Sequence, residues 1–122
     1  MNQQSFRERY ERMAWPQQLG NLASTLARLS SRCSRPEYDP LVTNLLRETA
    51  LLIEWSAPHT PPAAHPDLAA MQREIMVWRQ NWPMDQARSL LALRARQMSE
   101  ALLRAAGLGI PSLSTESSSR GL

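Results

Sequence analysis

The sequence contains no lysine: all 14 of its cationic residues are arginine, although lysine is ordinarily among the commonest residues. Its single cysteine, Cys33, excludes a disulfide within the chain. No glycine falls between Gly20 and Gly107, valine occurs only as Val42 and Val77, and no Asn-Gly or Asp-Gly pair is present. The tight turns and β-branched runs that strands require are therefore missing. No apolar run approaches the roughly 20 residues of a membrane-spanning helix, in keeping with a mean hydropathy of -0.43. The start, Met1 to Ser5 followed by Arg7, Glu8, Arg9, Glu11 and Arg12, is polar and lacks the apolar stretch of a signal peptide. A cytoplasmic, reducing location without membrane contact is expected.

Leucine and alanine, 18 and 15 of the 122 residues, are strong helix formers. The length suits one domain, and the fold class expected is all-α, a single-domain bundle of about five helices. Ser5-Phe6-Arg7-Glu8 has the form of a capping box and opens a short helix to about Ala14. Trp15-Pro16 restarts the chain, and Leu19, Leu22, Leu26, Leu29 and Cys33 place one apolar stripe along residues 16–34. Asp39-Pro40 offers a capping carboxylate and a proline for the first turn of a third helix, which ends by Ala57. Its buried face holds Val42, Leu45, Leu46, Thr49, Leu52 and Ile53. Residues 56–66 contain four of the nine prolines and form an extended connector. Pro66-Asp67 begins a fourth helix with Leu68, Met71, Ile75, Trp78 and Trp82 inward. The fifth is expected from Pro83 to Ala106, with Ala87, Leu91, Ala95, Met98, Leu102 and Ala105 inward and Gly107 as its C′ residue. The domain thus covers residues 1–107, and 108–122 read as a flexible serine-rich tail. Trp15-Pro16 and Trp82-Pro83 look like one helix-start device used twice; beyond them the two segments do not align, so no internal repeat is indicated.

No constellation of residues points to catalysis, and no metal or cofactor is called for. His59 and His65 flank the connector, but the spacings of a zinc site are absent. Cys33 lies on an apolar stripe and reads as a small core residue, despite nearby Arg32 and Arg35. Glu8, Glu11, Glu48, Glu54, Glu74 and Glu100 flank or oppose the apolar stripes and read as solvated. Glu8 with Arg12, Arg96 with Glu100 and Glu100 with Arg104 have the i, i+4 spacing of surface ion pairs. Gly107-Leu108-Gly109 follows a helix and cannot cradle phosphate at a helix N-terminus.

Charge distribution is more informative. Residues 1–35 carry +4, residues 36–70 carry −4 and the remainder +3. Arg28, Arg32 and Arg35 repeat at i, i+4 and i+7, a cationic stripe on the last turns of the second helix. It either complements the helix dipole and the acidic third helix, or docks an acidic protein surface through bidentate guanidinium bonds, or contacts nucleic-acid phosphates. The last reading ranks lowest, because 11 acids offset the arginines and no aromatic residue interleaves the stripe. Trp15, Trp55, Trp78 and Trp82 lie near helix ends. Tryptophan and arginine dominate interface hot spots, which makes Trp78, Arg79 and Trp82, with Met71 and Met76 beside them, a second candidate contact surface.

Three segments, Trp15-Pro16-Gln17-Gln18-Leu19-Gly20-Asn21-Leu22-Ala23-Ser24-Thr25, Leu45 to Trp55 and Ala87-Arg88-Ser89-Leu90-Leu91-Ala92-Leu93, resemble short uncharacterised all-helical proteins of cyanobacteria, over roughly residues 5–107. The resemblance implies a helical fold and a bacterial setting, and brings no ligand or site residues. The function expected is a small non-catalytic protein-binding module, an adaptor, assembly factor or regulator. Its partner is another protein, with an acidic surface favoured and a homodimer as a further option. Arginine-mediated nucleic-acid binding is the alternative.

Overall fold

The computed structural model describes residues 3–107; the expected tail, 108–122, lies outside them. Among the described residues there are five α-helices and no strand. These are α1 (Gln3–Glu11), α2 (Trp15–Arg32), α3 (Asp39–Ser56), α4 (His65–Asn81) and α5 (Arg88–Ala105). Short 3₁₀ turns occupy Pro36–Tyr38, Ala57–His59, Pro62–Ala64 and Asp85–Ala87.

The apolar periodicities place the core. Leu19, Leu22, Leu26, Leu29 and Cys33 are all fully buried, so α2 runs through the middle of the molecule. It packs between α5 on one side and α3 on the other, and α4 packs on α3. The α3 face is buried as its spacing predicts, from Val42 through Ile53, and continues to Trp55 and Ser56. Small residues let α2 and α5 approach closely. The Ser30 hydroxyl donates to the Ala92 carbonyl at 2.7 Å and that of Ser99 to the Ala23 carbonyl at 2.8 Å. Those two bonds set the helices antiparallel, so Trp15 at the start of α2 stands beside the end of α5.

Helix ends depart from expectation more than helix faces do. Helix α1 already runs at Gln3, so Ser5 lies within it and does not serve as the N-cap. Asp39 is the first residue of α3, so the N-cap position falls to Tyr38, which makes no side-chain capping bond; the Asp39 carboxylate turns outward to Arg88. The proline-rich connector is not extended throughout but folds into two 3₁₀ turns, since proline's fixed φ suits the first position of such a turn. Thr60, buried between them, donates through its hydroxyl to the Ala57 carbonyl at 2.9 Å. Trp15-Pro16 does begin α2. Trp82-Pro83 does not begin α5: the peptide is cis, Met84 is extended (φ −136, ψ 106), and a 3₁₀ turn delays the helix to Arg88. In α5 Leu91, Ala95, Met98 and Leu102 are buried as expected, joined by Ser99, while Ala105 is exposed and Ala87 half-buried. Gly107 occupies the C′ position with φ +75, the left-handed conformation that glycine adopts without penalty.

Helix α1 attaches through an aromatic cluster and a buried polar network. Tyr10, 1% exposed, donates its single hydroxyl proton to the Gln18 carbonyl at 2.7 Å. The Ser56 hydroxyl, also paired with the Tyr10 oxygen, is therefore the donor in that second bond. Gln18 returns a bond from its Nε2 to the Tyr10 carbonyl at 3.0 Å. Tyr10→Phe is expected to lower stability by about 1–2 kcal/mol, because the Gln18 carbonyl and the Ser56 hydroxyl lose their partner in a site closed to water. Urea unfolding checks this. Burial, opposed by the Ser56 bond, pushes the Tyr10 pKa up to about 12 from its ordinary 10.0. The folded state then holds this proton more tightly than the unfolded one. Its stabilisation is complete below pH 10 and is lost as pH rises through about 12, a decline that Tyr10→Phe removes.

Candidate functional site

The α2 stripe sits at the end of that helix and in the link that follows it. Arg28 reaches α3, with Nη2 3.7 Å from Glu48 Oε2, while 59% of its side chain stays exposed. Glu48 also accepts a bond from the Thr25 hydroxyl at 3.2 Å. Arg32 lies over the Tyr38 ring, 5.0 Å from its centroid. Arg35 pairs with Glu37 at 3.5 Å, both side chains more than 60% exposed. Charge matching with the acidic segment is therefore present but loose. Among the described residues each guanidinium has one contact, and the two ion pairs exceed the roughly 2.7–2.9 Å of a tight charge-assisted bond. Exposed pairs of this kind contribute about 0–1 kcal/mol.

The other candidate surface is divided. Trp78 is 6% exposed and belongs to the core, because its heptad spacing with Leu68, Met71 and Ile75 turns it inward; its indole N–H donates to Glu74 Oε2 at 3.2 Å. That removes Trp78 from the solvent-facing surface expected of it. Arg79 is exposed, its Nη1 3.7 Å from the Met76 sulfur. Trp82 is half-buried beneath the Arg88 guanidinium, 5.0 Å from the ring centroid.

Two clusters escape the sequence reading. Arg88, 12% exposed, uses all five of its N–H donors. Its Nη1 bonds Asp39 at 2.8 Å and the Cys33 carbonyl at 3.0 Å. Its Nη2 bonds Asp39 at 2.9 Å and Asp85 at 2.8 Å. Nε bonds Asp85 at 3.0 Å. One side chain so joins the end of α2, the start of α3 and the start of α5, and its hydrogen bonds hold the Asp39 carboxyl below its ordinary pKa. The local signal for it is the Asp85–Arg88 spacing of three beside Trp82. Arg94 forms the second cluster, gripping Glu74 through Nε at 3.0 Å and Nη2 at 2.8 Å. Glu74 is thus not a solvated carboxylate but the tie between α4 and α5. Among the described residues no ion pair joins Glu8 to Arg12, or Glu100 to Arg96 or Arg104.

Hydrogen bonds from Arg94 hold the Glu74 carboxyl below its ordinary pKa, against the opposing effect of burial and with help from the Trp78 indole. A carboxyl depressed in the folded state stabilises above its unfolded pKa, near 4.3, and loses that contribution as pH falls. The urea midpoint is expected to drop below about pH 4, and Glu74→Gln to flatten that dependence while lowering stability at pH 7. Unchanged slopes would refute the assignment.

Burial raises the Cys33 thiol pKa, which disfavours the nucleophilic thiolate. His59 is exposed on a 3₁₀ turn, and the ring of His65 lies 3.2 Å from the Thr60 carbonyl. Among the described residues no group of three or more His, Cys, Asp or Glu is placed to hold a metal ion, and no helix is long and apolar enough to cross a membrane. Compared with family models, curated proteins and solved structures, the chain matches none.

Proposed function

We propose that the chain is a small non-catalytic protein-binding module, acting in the cytoplasm as an adaptor, assembly factor or regulator, that docks an acidic protein surface against Arg28, Arg32 and Arg35. The observation that supports this reading is the contrast between two kinds of arginine. Arg88 and Arg94 are gripped by several short bonds and serve the fold. Among the described residues Arg28, Arg32 and Arg35 each have one loose contact, so an acidic partner can engage them at little cost in internal pairing. Arg79 and the exposed part of half-buried Trp82 supply a secondary contact between α4 and α5. Affinity capture from the native cell tests the reading: a partner recovered by the wild-type chain should be lost with the Arg28→Ala/Arg32→Ala/Arg35→Ala variant. Equal recovery by a correctly folded variant removes the stripe. Nucleic-acid binding, the alternative, requires a gel shift that weakens steeply between two salt concentrations through counterion release.

Self-association has its own support in the exposure of Val77 (56%), Leu90 (52%) and Leu93 (47%). Light scattering over a concentration series would show a dimer mass if those side chains pair.

A further inference from the structure

Where the start of α2 stands beside the end of α5, the fold encloses an apolar groove of about 240 Å³. Four stretches of chain line it: the start of α2 through Trp15, the 3₁₀ turn before α4 through Ala64, α4 through Asp67 and Met71, and the last turns of α5 through Ala101 and Ala105. The alanines end at Cβ and leave open the space that longer side chains would occupy. Trp15 and Met71, both half-buried, add an aromatic ring and an adaptable thioether. An apolar cavity of about 150 Å³ suffices for benzene, so this groove has room for an aromatic ring with a short alkyl arm.

Charge selects among such ligands. Asp67 is the one charged residue among those lining the groove. Its carboxylate is exposed and joins no ion pair among the described residues. It stands in the first turn of α4, where it offsets the positive pole of that helix, while the α5 wall belongs to the negative pole of its own helix. Arg104, in the same turn of α5, is exposed and does not line the groove. The geometry points to a small apolar cation as the ligand, an aryl-alkyl ammonium whose ring packs between Trp15 and Met71 while its nitrogen meets the Asp67 carboxylate. An indole face adds its own attraction for a cation. A concave site walled by four stretches of chain suits a free ligand rather than a flat protein surface. The groove lies at the opposite end of α2 from Arg28, Arg32 and Arg35, so it is a second site, independent of the docking surface proposed above.

The test titrates the full, isotope-labelled chain at neutral pH with phenylpropylammonium, phenylpropanol and phenylpropionate, followed by NMR. Saturable shifts are expected at the Trp15 indole, the Met71 methyl and the Ala101 amide, with the amides of Arg28, Arg32 and Arg35 unmoved. The ammonium should bind about fivefold more tightly than the alcohol, as one exposed ion pair allows, and the propionate most weakly. Asp67→Asn, which keeps the shape, should erase the preference for the ammonium and leave the affinity for the alcohol unchanged. Ala101→Leu, which fills the groove, should abolish binding of both, with the helical circular dichroism unchanged. The inference is overturned if the ammonium shifts no groove signal, if the alcohol binds wild-type protein as tightly, or if either variant binds the ammonium as the wild type does.

Discussion

Arg88→Met is expected to lower the melting temperature more than the loss of any other arginine, by roughly 10 °C. The methionine keeps an unbranched apolar stem but none of the five donors, nor the guanidinium that lies over the Trp82 ring. Asp39, whose carboxylate is 23% exposed, is then left without the fork that satisfies both of its oxygens, and the Cys33 carbonyl loses its partner as well. Removing one member of such a pair is more damaging than replacing both, because the remaining group keeps its desolvation cost. Arg88→Lys separates charge from geometry. An ammonium carries the charge but cannot bond Asp39 in two places while reaching Asp85 and Cys33, so an intermediate melting temperature is expected. If the lysine variant melts like the wild type, the fork geometry contributes nothing and the bond network does not act as described. Differential scanning calorimetry resolves all three.

Trp55→Ala is the second large effect. Trp55 is 2% exposed and forms the centre of an aromatic cluster, with its ring 5.7 Å from Phe6 in an edge-on arrangement and 6.1 Å from Tyr10. Arg7 covers it, 5.6 Å from the ring centroid. Truncation removes the largest fully buried side chain and leaves a cavity where α1 meets α3, for a loss of about 3–5 kcal/mol. Against a total stability of about 5–15 kcal/mol for a domain of ordinary stability, that brings the protein near its unfolding threshold. Trp55→Phe, which keeps an aromatic edge for Phe6 and Tyr10, should recover part of the loss. Urea unfolding followed by far-ultraviolet circular dichroism measures both without relying on tryptophan emission. A loss below about 1 kcal/mol for the alanine variant would mean that α1 is not fastened by this cluster.

The helices and their buried faces were legible because they depend on local periodicity. The four leucines of the α2 stripe and Cys33 just past its end are each buried as their three-and-four spacing requires, and Gly107 marks the C′ position because only its own backbone conformation is at stake. Contacts between distant parts of the chain left little trace. Asp39 has the right type and place for an N-cap, yet its carboxylate serves Arg88, 49 residues later; a strong ionic partner outcompetes the backbone amides of the first turn. Glu74 looks like a surface acid within its own helix and becomes an interhelical tie only when α5 brings Arg94 beside it. Trp78 shows how type and pattern disagree. Its residue type suggested an exposed hot spot, while its place in the apolar stripe turned it inward, and the pattern prevailed. The start of α5 differs from its sequence pattern for a related reason: a Trp-Pro pair resembles a helix start, but Met84 is extended and the helix begins only at Arg88, where the side chain bonds Asp85.

The arginines divide in two: Arg88 and Arg94 tie helices together, while Arg28, Arg32 and Arg35 form the contact surface proposed above. Thermal unfolding of the Arg28→Ala/Arg32→Ala/Arg35→Ala variant beside Arg88→Met tests this division most directly. The triple variant should melt within about 3 °C of the wild-type chain, as the small worth of exposed pairs requires, whereas the single Arg88 variant should melt far lower. A triple variant that melts as low as Arg88→Met would show that the stripe belongs to the fold, and would contradict its assignment as a contact surface.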